Sequence, residues 1–221
     1  MSKGELRRQQ IVETALREAS SLGLEGITLG VLADKLELSK SGLFAHFQSK
    51  EELQRAVLDE ATHRFIESVV RPAFAAPRGE PRVAMLWEGW QRWILNGGRG
   101  EGPGVRRRAG AHERGCFFMS LVSEYDDRPG PLREALVRSH REWLGALARA
   151  ATIAIEEGHF RPDLDVDLFA YEFMGIGMAL QYQLKLVGDP KAAARASQAF
   201  AGLLDRSRPA SRARRRSTST S

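Results

Sequence analysis

Three helix-start signals crowd into residues 28–49: Thr28 before LGVLA, Ser39 before KSGLF and Ser49 before KEEL. A Ser or Thr hydroxyl at such a point satisfies one of the backbone N–H groups that a helix leaves unpaired at its start. Caps this close together define helices of about two turns or fewer, and helices that short are marginal in water on their own. They must fold against longer neighbours, and the pattern supplies one on each side. Ile11, Val12, Ala15, Leu16 and Ala19 recur at helical spacing over Lys3 to Leu22, with Gly23 as a natural stop. Leu29, Leu32, Ala33 and Leu36 then mark one face of a short second helix. Ser49 with Glu52 makes a capping box for a fourth, longer helix that is expected to reach about Arg71, before Pro72.

The remainder continues in the same period. A fifth helix is predicted over Arg82 to Leu95. Residues 96–115 hold seven glycines and five arginines and read as a flexible loop; they do not fit the G-x-x-x-x-G-K-[ST] phosphate cradle and follow no predicted strand. An apolar segment, CFFMSLVSEY, leads to Pro131, which suits the first position of a helix from about Leu132 to Glu157, stopped by Gly158. Asp165 caps the next helix, to about Val187, and Gly188, Asp189 and Pro190 read as stop, cap and first position of a last one reaching Leu204. No stretch alternates with period two, so the expected fold class is all-α.

With 43% hydrophobic and 28% charged residues the chain has enough apolar side chains for a folded core. No apolar run reaches the length of a membrane span, and MSKGELRRQQ lacks the apolar stretch of a secretory signal, so a cytoplasmic protein is expected. The single cysteine, Cys116, excludes an internal disulfide framework, and five scattered histidines give no metal-ligand spacing. No metal or cofactor is expected.

The net charge of +5 invites a nucleic-acid reading, but residues 206–221 carry six arginines and no acid, so residues 1–205 sum to −1. That tail reads as a solvated basic terminus. The case for DNA rests instead on LSKSGLFAHFQSKEEL. Taken as a helix, Leu43 and Phe47 share the face that faces the core, while Ser41, Gly42 and Ala45 leave the outer face almost bare. On a solvated helix a glycine there costs about 0.5–1 kcal/mol. On a helix that enters the major groove, small side chains permit close approach to the bases. Lys40, Phe44 and His46 flank that face, placed to meet the phosphate walls. Lys50 sits at the start of the fourth helix, where unpaired N–H groups already favour an anion, and Thr28 offers the same combination at the second.

The run GITLGVLADKLELSKSGLFAHFQSKEEL resembles the DNA-binding segment of TetR-family transcriptional regulators, over about residues 5 to 60. The resemblance implies a three-helix, helix-turn-helix DNA-binding domain at residues 1–55, a helical ligand-binding and dimerisation domain at 56–205 and a basic tail at 206–221. It implies DNA contacts at Thr28, Lys40, Ser41, Gly42, Phe44, His46 and Lys50. The family most often has tyrosine where this chain has Phe44, so a phosphate hydrogen bond is absent there.

Beyond that segment, Trp87, Trp90 and Trp93 follow at i+3 intervals on one helix stripe. They suit either core packing or a ligand pocket, with Trp90 the best single pocket residue. Trp87, Trp90, Phe117, Phe118 and Tyr125 are the candidate ligand-binding residues. His112-x-x-x-Cys116 offers only two candidate ligands, and the pair reads as loop and apolar segment, not as a metal site. Phe173, Gly177, Leu180 and Phe200 are the candidate dimer interface, because glycines inside the 166–187 helix suit close approach by a partner helix. The expected protein is a homodimeric repressor that binds a near-palindromic double-stranded operator and is released by a small molecule. A sequence-independent architectural DNA-binding protein, or an enzyme using the aromatic cavity, are the alternatives.

Overall fold

A computed structural model describes residues 2–98 and 115–210, the side chains of Ser20, Ser21 and Lys40 excepted. Most of the 96–115 loop, His112 with it, and the tail beyond residue 210 lie outside the described residues. Those described form α-helices and short π-helical turns, with no strand among them. The helices are α1 (Lys3–Leu22), α2 (Leu29–Lys35), α3 (Lys40–Phe44), α4 (Lys50–Phe65), α5 (Arg71–Ala73), α6 (Glu80–Leu95), α7 (Phe117–Tyr125), α8 (Pro131–Glu156), α9 (Val166–Tyr182) and α10 (Ala192–Ser207). Thr28, Ser39, Ser49 and Asp165 all cap as their sequence positions require.

Three boundaries and one cap differ from expectation. Helix α4 ends at Phe65 and passes through a π turn, Ile66–Val70, before Arg71. The Glu52 side chain reaches back to Gln48 N, one residue beyond the cap, at 2.9 Å. CFFMSLVSEY is helical from Phe117 onward, with Phe117, Phe118, Leu121 and Tyr125 buried. Helix α10 starts at Ala192 instead of Pro190, because Asp189 closes a turn with Lys191 N at 2.9 Å and its carbonyl takes Ala192 N.

The chain divides into two compact units, Met1–Ser68 with Trp93–His140, and Val69–Arg92 with Arg141–Ser221. Helix α7 falls in the first unit, with the N-terminal helices. In the first unit Ile11 and Ala15 of α1, Leu32 of α2, Leu43 and Phe47 around α3, and Leu53 and Val57 of α4 are fully buried together with Leu24 and Ile27. The guanidinium of Arg8 lies 4.6 Å from the Phe47 ring centroid, closing that core from the solvent side.

The second unit is organised around rings. Trp90 stacks on Phe173 at 5.7 Å and 10°, Trp87 stacks on Phe200 at 4.9 Å and 16°, and Trp143 meets Trp90 edge-on at 5.7 Å. Gly177 of α9 lies against this stack: a Cβ there would overlap Cη2 and Cζ3 of Trp90. The glycine is thus explained by a ring of its own chain. Gly177→Ala should lower stability by about 1–3 kcal/mol, the usual result of overpacking a full core, and urea unfolding of the pure variant measures it.

Candidate nucleic-acid interface

Helices α2 and α3 are seven and five residues long, joined by a turn in which Glu37 adopts φ 54°, the left-handed region. Their apolar sides are spent on the core, so the outward sides are free for a partner. Thr28 is exposed, and its Oγ1 accepts from Val31 N at 3.2 Å. That cap uses an oxygen lone pair and leaves the hydroxyl proton available for a phosphate oxygen. Ser39 Oγ caps α3 by accepting from Gly42 N at 3.0 Å and lies 3.1 Å from Ser41 Oγ. Ser41 is exposed, as is Ala45 after it; Phe44 is 49% exposed, and His46 is half-buried. Gly42 has a local reason beside the functional one, since a Cβ there would lie 3.1 Å from Ser39 Oγ. The structure therefore brings Thr28, Ser41, Gly42, Phe44 and His46 onto one small helix-turn-helix. The backbone of Lys40 opens α3, and its side chain lies outside the described residues.

Lys50 departs from the simple picture. Its ammonium donates to the Glu25 carbonyl at 2.7 Å and pairs with Glu25 Oε2 at 3.0 Å, with the side chain 39% exposed. Glu25 in turn accepts at Oε1 from the Tyr125 hydroxyl at 2.8 Å and from Gln54 Nε2 at 3.2 Å, and Arg128 stands 3.9 Å from Oε2. The backbone N–H groups of Leu24 and Glu25 donate to the Glu124 carboxylate at 3.2 and 3.0 Å. Gly23 makes room for that carboxylate: its φ is +76°, and a Cβ would sit 2.5 Å from Glu124 Oε1. The hydrogen bond from Tyr125, and then Lys50, hold the Glu25 carboxyl below its ordinary value, while burial and Glu25 itself push the Tyr125 phenol up. Sequence reasoning missed Glu25, Glu124 and Gln54, whose partners lie as far as 100 residues away along the chain.

The candidate ligand residues fall into two groups. Trp87 and Trp90 are interior to the ring stack of the second unit. Phe117, Phe118 and Tyr125 are buried in the first, where Phe118 meets Phe65 edge-on at 5.9 Å and Phe65 meets Trp93 at 5.4 Å. Trp93 is buried, and its Nε1 has no hydrogen-bond partner among the described residues. The dimer candidates Phe173, Gly177, Leu180 and Phe200 are all buried within the single chain, so none offers a surface to a second copy. Their pattern marks the inner side of α9 and α10, and periodicity alone does not tell an inner apolar side from a partner-facing one.

An exposed, cap-rich, small-faced α2–turn–α3 held by two longer helices is the arrangement of a helix-turn-helix transcriptional regulator. Residues 11–57 match the family model for bacterial regulatory proteins of the tetR family, and residues 105–200 match that for a tetracyclin repressor-like C-terminal domain. The chain is 32% identical over 210 residues to the HTH-type transcriptional regulator TcmR of Streptomyces glaucescens, covering 91% of this chain and 83% of that one. It belongs to the TetR family of transcriptional regulators. Among solved structures, a TetR transcriptional regulator from Chloroflexus aurantiacus superposes with a TM-score of 0.77 at 20% identity, over 93% of this chain and 96% of that one. AibR, solved in complex with isovaleryl coenzyme A and operator DNA, gives 0.66 at 20% identity, over 91% and 99%.

The Glu25 network makes a pH prediction. A carboxyl whose folded-state value is lowered contributes stability that is fully present above its unfolded value and is lost as pH falls through the folded one. With an ordinary value of 4.5, that window lies below pH 4.5. The melting temperature of the wild type should fall more steeply there than that of Glu25→Gln; parallel profiles would remove the network from the stability of the fold.

Proposed function

We propose that this protein is a homodimeric transcriptional repressor that binds a near-palindromic operator in double-stranded DNA and leaves it when a small molecule binds the helical C-terminal part. The observation that carries the reading is the outward side of α2 and α3: an exposed Thr28 hydroxyl with its proton free, an exposed Ser41, and a side bare enough for the major groove. Thr28, Lys40, Phe44, His46 and Lys50 then serve the phosphates, and Ser41 and Gly42 face the bases. The protein acts by binding and not by turnover. It works in the cytoplasm, where its DNA is; no described helix is long and apolar enough to cross a membrane. Protection of two half-sites about 34–36 Å apart, or a multiple of that, in footprinting of DNA upstream of its own gene supports the reading. Equal affinity for that DNA and for random duplex would favour the architectural alternative.

The dimer face is reassigned to the opposite side of α9. Leu168, Tyr171, Met178 and Tyr182 are exposed at spacings that keep them on one stripe, with Gly175 between and no atom near its missing Cβ. Tyr171 is 73% exposed and Tyr182 56%. Side chains that large and apolar, lined up in water, mark an association surface. For the effector, Phe117, Phe118 and Tyr125 remain the candidate wall, and Trp93 joins them because its buried indole N–H, without a partner among the described residues, favours a molecule that presents a hydrogen-bond acceptor to aromatic surroundings. Trp87 and Trp90 are read as core.

One double variant separates the alternatives for assembly. Tyr171→Asp with Met178→Asp should give a monomer with operator affinity reduced about a hundredfold or more, since one half-site remains per binding event. Sedimentation velocity at micromolar concentration reads the first effect and a gel-shift titration the second. A dimer that survives both charges places the interface on another face.

A further inference from the structure

The Glu25 carboxylate has two kinds of partner. One oxygen, Oε2, faces the Lys50 ammonium at 3.0 Å, and the other, Oε1, accepts from Tyr125 at 2.8 Å and Gln54 at 3.2 Å. Lys50 opens α4 beside the helix-turn-helix, whereas Tyr125 closes α7, a helix from a distant part of the chain. The loop that carries Glu25 is itself fixed to α7 through Glu124. A single side chain therefore lies between the cation read as a phosphate contact and a hydroxyl outside the DNA-binding helices.

We propose that Glu25 is a positioning residue for DNA binding: it competes with DNA phosphate for Lys50, and Tyr125 sets the strength of that competition by occupying the opposite carboxylate oxygen. The inference rests on the reading of Lys50 as a phosphate contact. A carboxylate 3.0 Å from an ammonium cancels much of its field at a phosphate, so the pair displaces fewer counterions from DNA than a free lysine does. Donors share the electron density of one carboxylate. When Tyr125 donates to Oε1, Oε2 is a weaker acceptor for Lys50; when Tyr125 withdraws, Oε2 is stronger and Lys50 is held back from the DNA. Loss of the Tyr125 hydrogen bond would thus lower DNA affinity without any movement of α3.

A structural role for the network makes the opposite forecast, because removing a member of a supporting cluster weakens binding. The test uses the full-length protein, a fluorescent random-sequence duplex and a series of salt concentrations, with thermal melts to confirm folding. Glu25→Gln keeps the shape and removes the charge. It should bind about threefold to tenfold more tightly, with the slope of log K against log salt steeper by up to about 0.9, the share of one phosphate contact. Adding Lys50→Met to Glu25→Gln should abolish both gains. Tyr125→Phe should weaken binding by about twofold to fivefold in the wild type and leave the Glu25→Gln protein unchanged, which places its effect on the carboxylate.

Weaker binding or an unchanged slope in a folded Glu25→Gln protein overturns the inference, as does an equal effect of Tyr125→Phe in both backgrounds. If Glu25→Gln does not fold, Tyr125→Phe alone decides, and equal or tighter binding by it overturns the proposal. A salt slope that Lys50→Met alters in neither background shows instead that Lys50 is not at a phosphate. A slope that Lys50→Met lowers, with no response to Glu25→Gln, leaves that contact standing and rejects the competition.

Discussion

Helices of seven and five residues cannot exist alone in water, and everything about the DNA-binding end follows from that constraint. Helices α2 and α3 exist because Leu32, Leu43 and Phe47 are buried against the longer α1 and α4, and because Thr28 and Ser39 satisfy their first N–H groups. Each short helix has one side committed to the core, which leaves its opposite side largely exposed. Small residues are tolerated there, since packing elsewhere supplies the stability that a glycine at position 42 gives up. The side proposed to meet DNA is thus one on which folding makes few demands, the fit of Gly42 beside the Ser39 cap among them.

Local signals in the sequence reveal this part of the fold well. Caps act over three residues and amphipathic faces over seven, so Thr28, Ser39, Ser49 and Asp165 declare themselves without tertiary context. The Asp189–Pro190 pair shows where such reasoning stops. Pro190 fits a first helical position, but Asp189 is also able to close a turn on Lys191 N, and the turn prevails by two residues. Long-range partners leave no local trace. Glu25 sits in a four-residue link whose composition fits any turn, while its hydroxyl partner is 100 residues on. Gly177 is the instructive case: a glycine in a helix interior does announce a close approach, but only the fold says that the approaching group is the Trp90 ring of the same chain.

The same ambiguity governs α9. Its sequence is apolar on nearly every side, so the stripe through Phe169, Phe173 and Leu180 and the stripe through Leu168, Tyr171 and Met178 are equally visible in it. Burial separates them: the first packs on Trp87, Trp90 and Phe200, and the second meets solvent. A helix with two apolar sides, only one of them buried by its own chain, has one side more than a monomer requires. That excess, and not the glycine pattern, is the feature that points to a second copy.

The energy scale of the Glu25 network suits regulation. Ion pairs as exposed as Lys50 and Glu25 contribute about 0.2–1 kcal/mol, because water and salt screen them, and a hydrogen bond to a charged group contributes about 1.5–3 kcal/mol at most. Allosteric coupling is usually about 1–3 kcal/mol, and 1.4 kcal/mol already changes affinity tenfold. A much stronger contact at Lys50 would lock the lysine away from DNA in every state, and a weaker one would transmit nothing. A half-exposed ion pair whose carboxylate is shared with a buried phenol lies between those limits, and in a dimer the effect acts at both half-sites. Two copies of a change that is small in each subunit then combine, since their free energies add for one bound operator. Modest local electrostatics are sufficient for a large change in occupancy, provided that both subunits respond together.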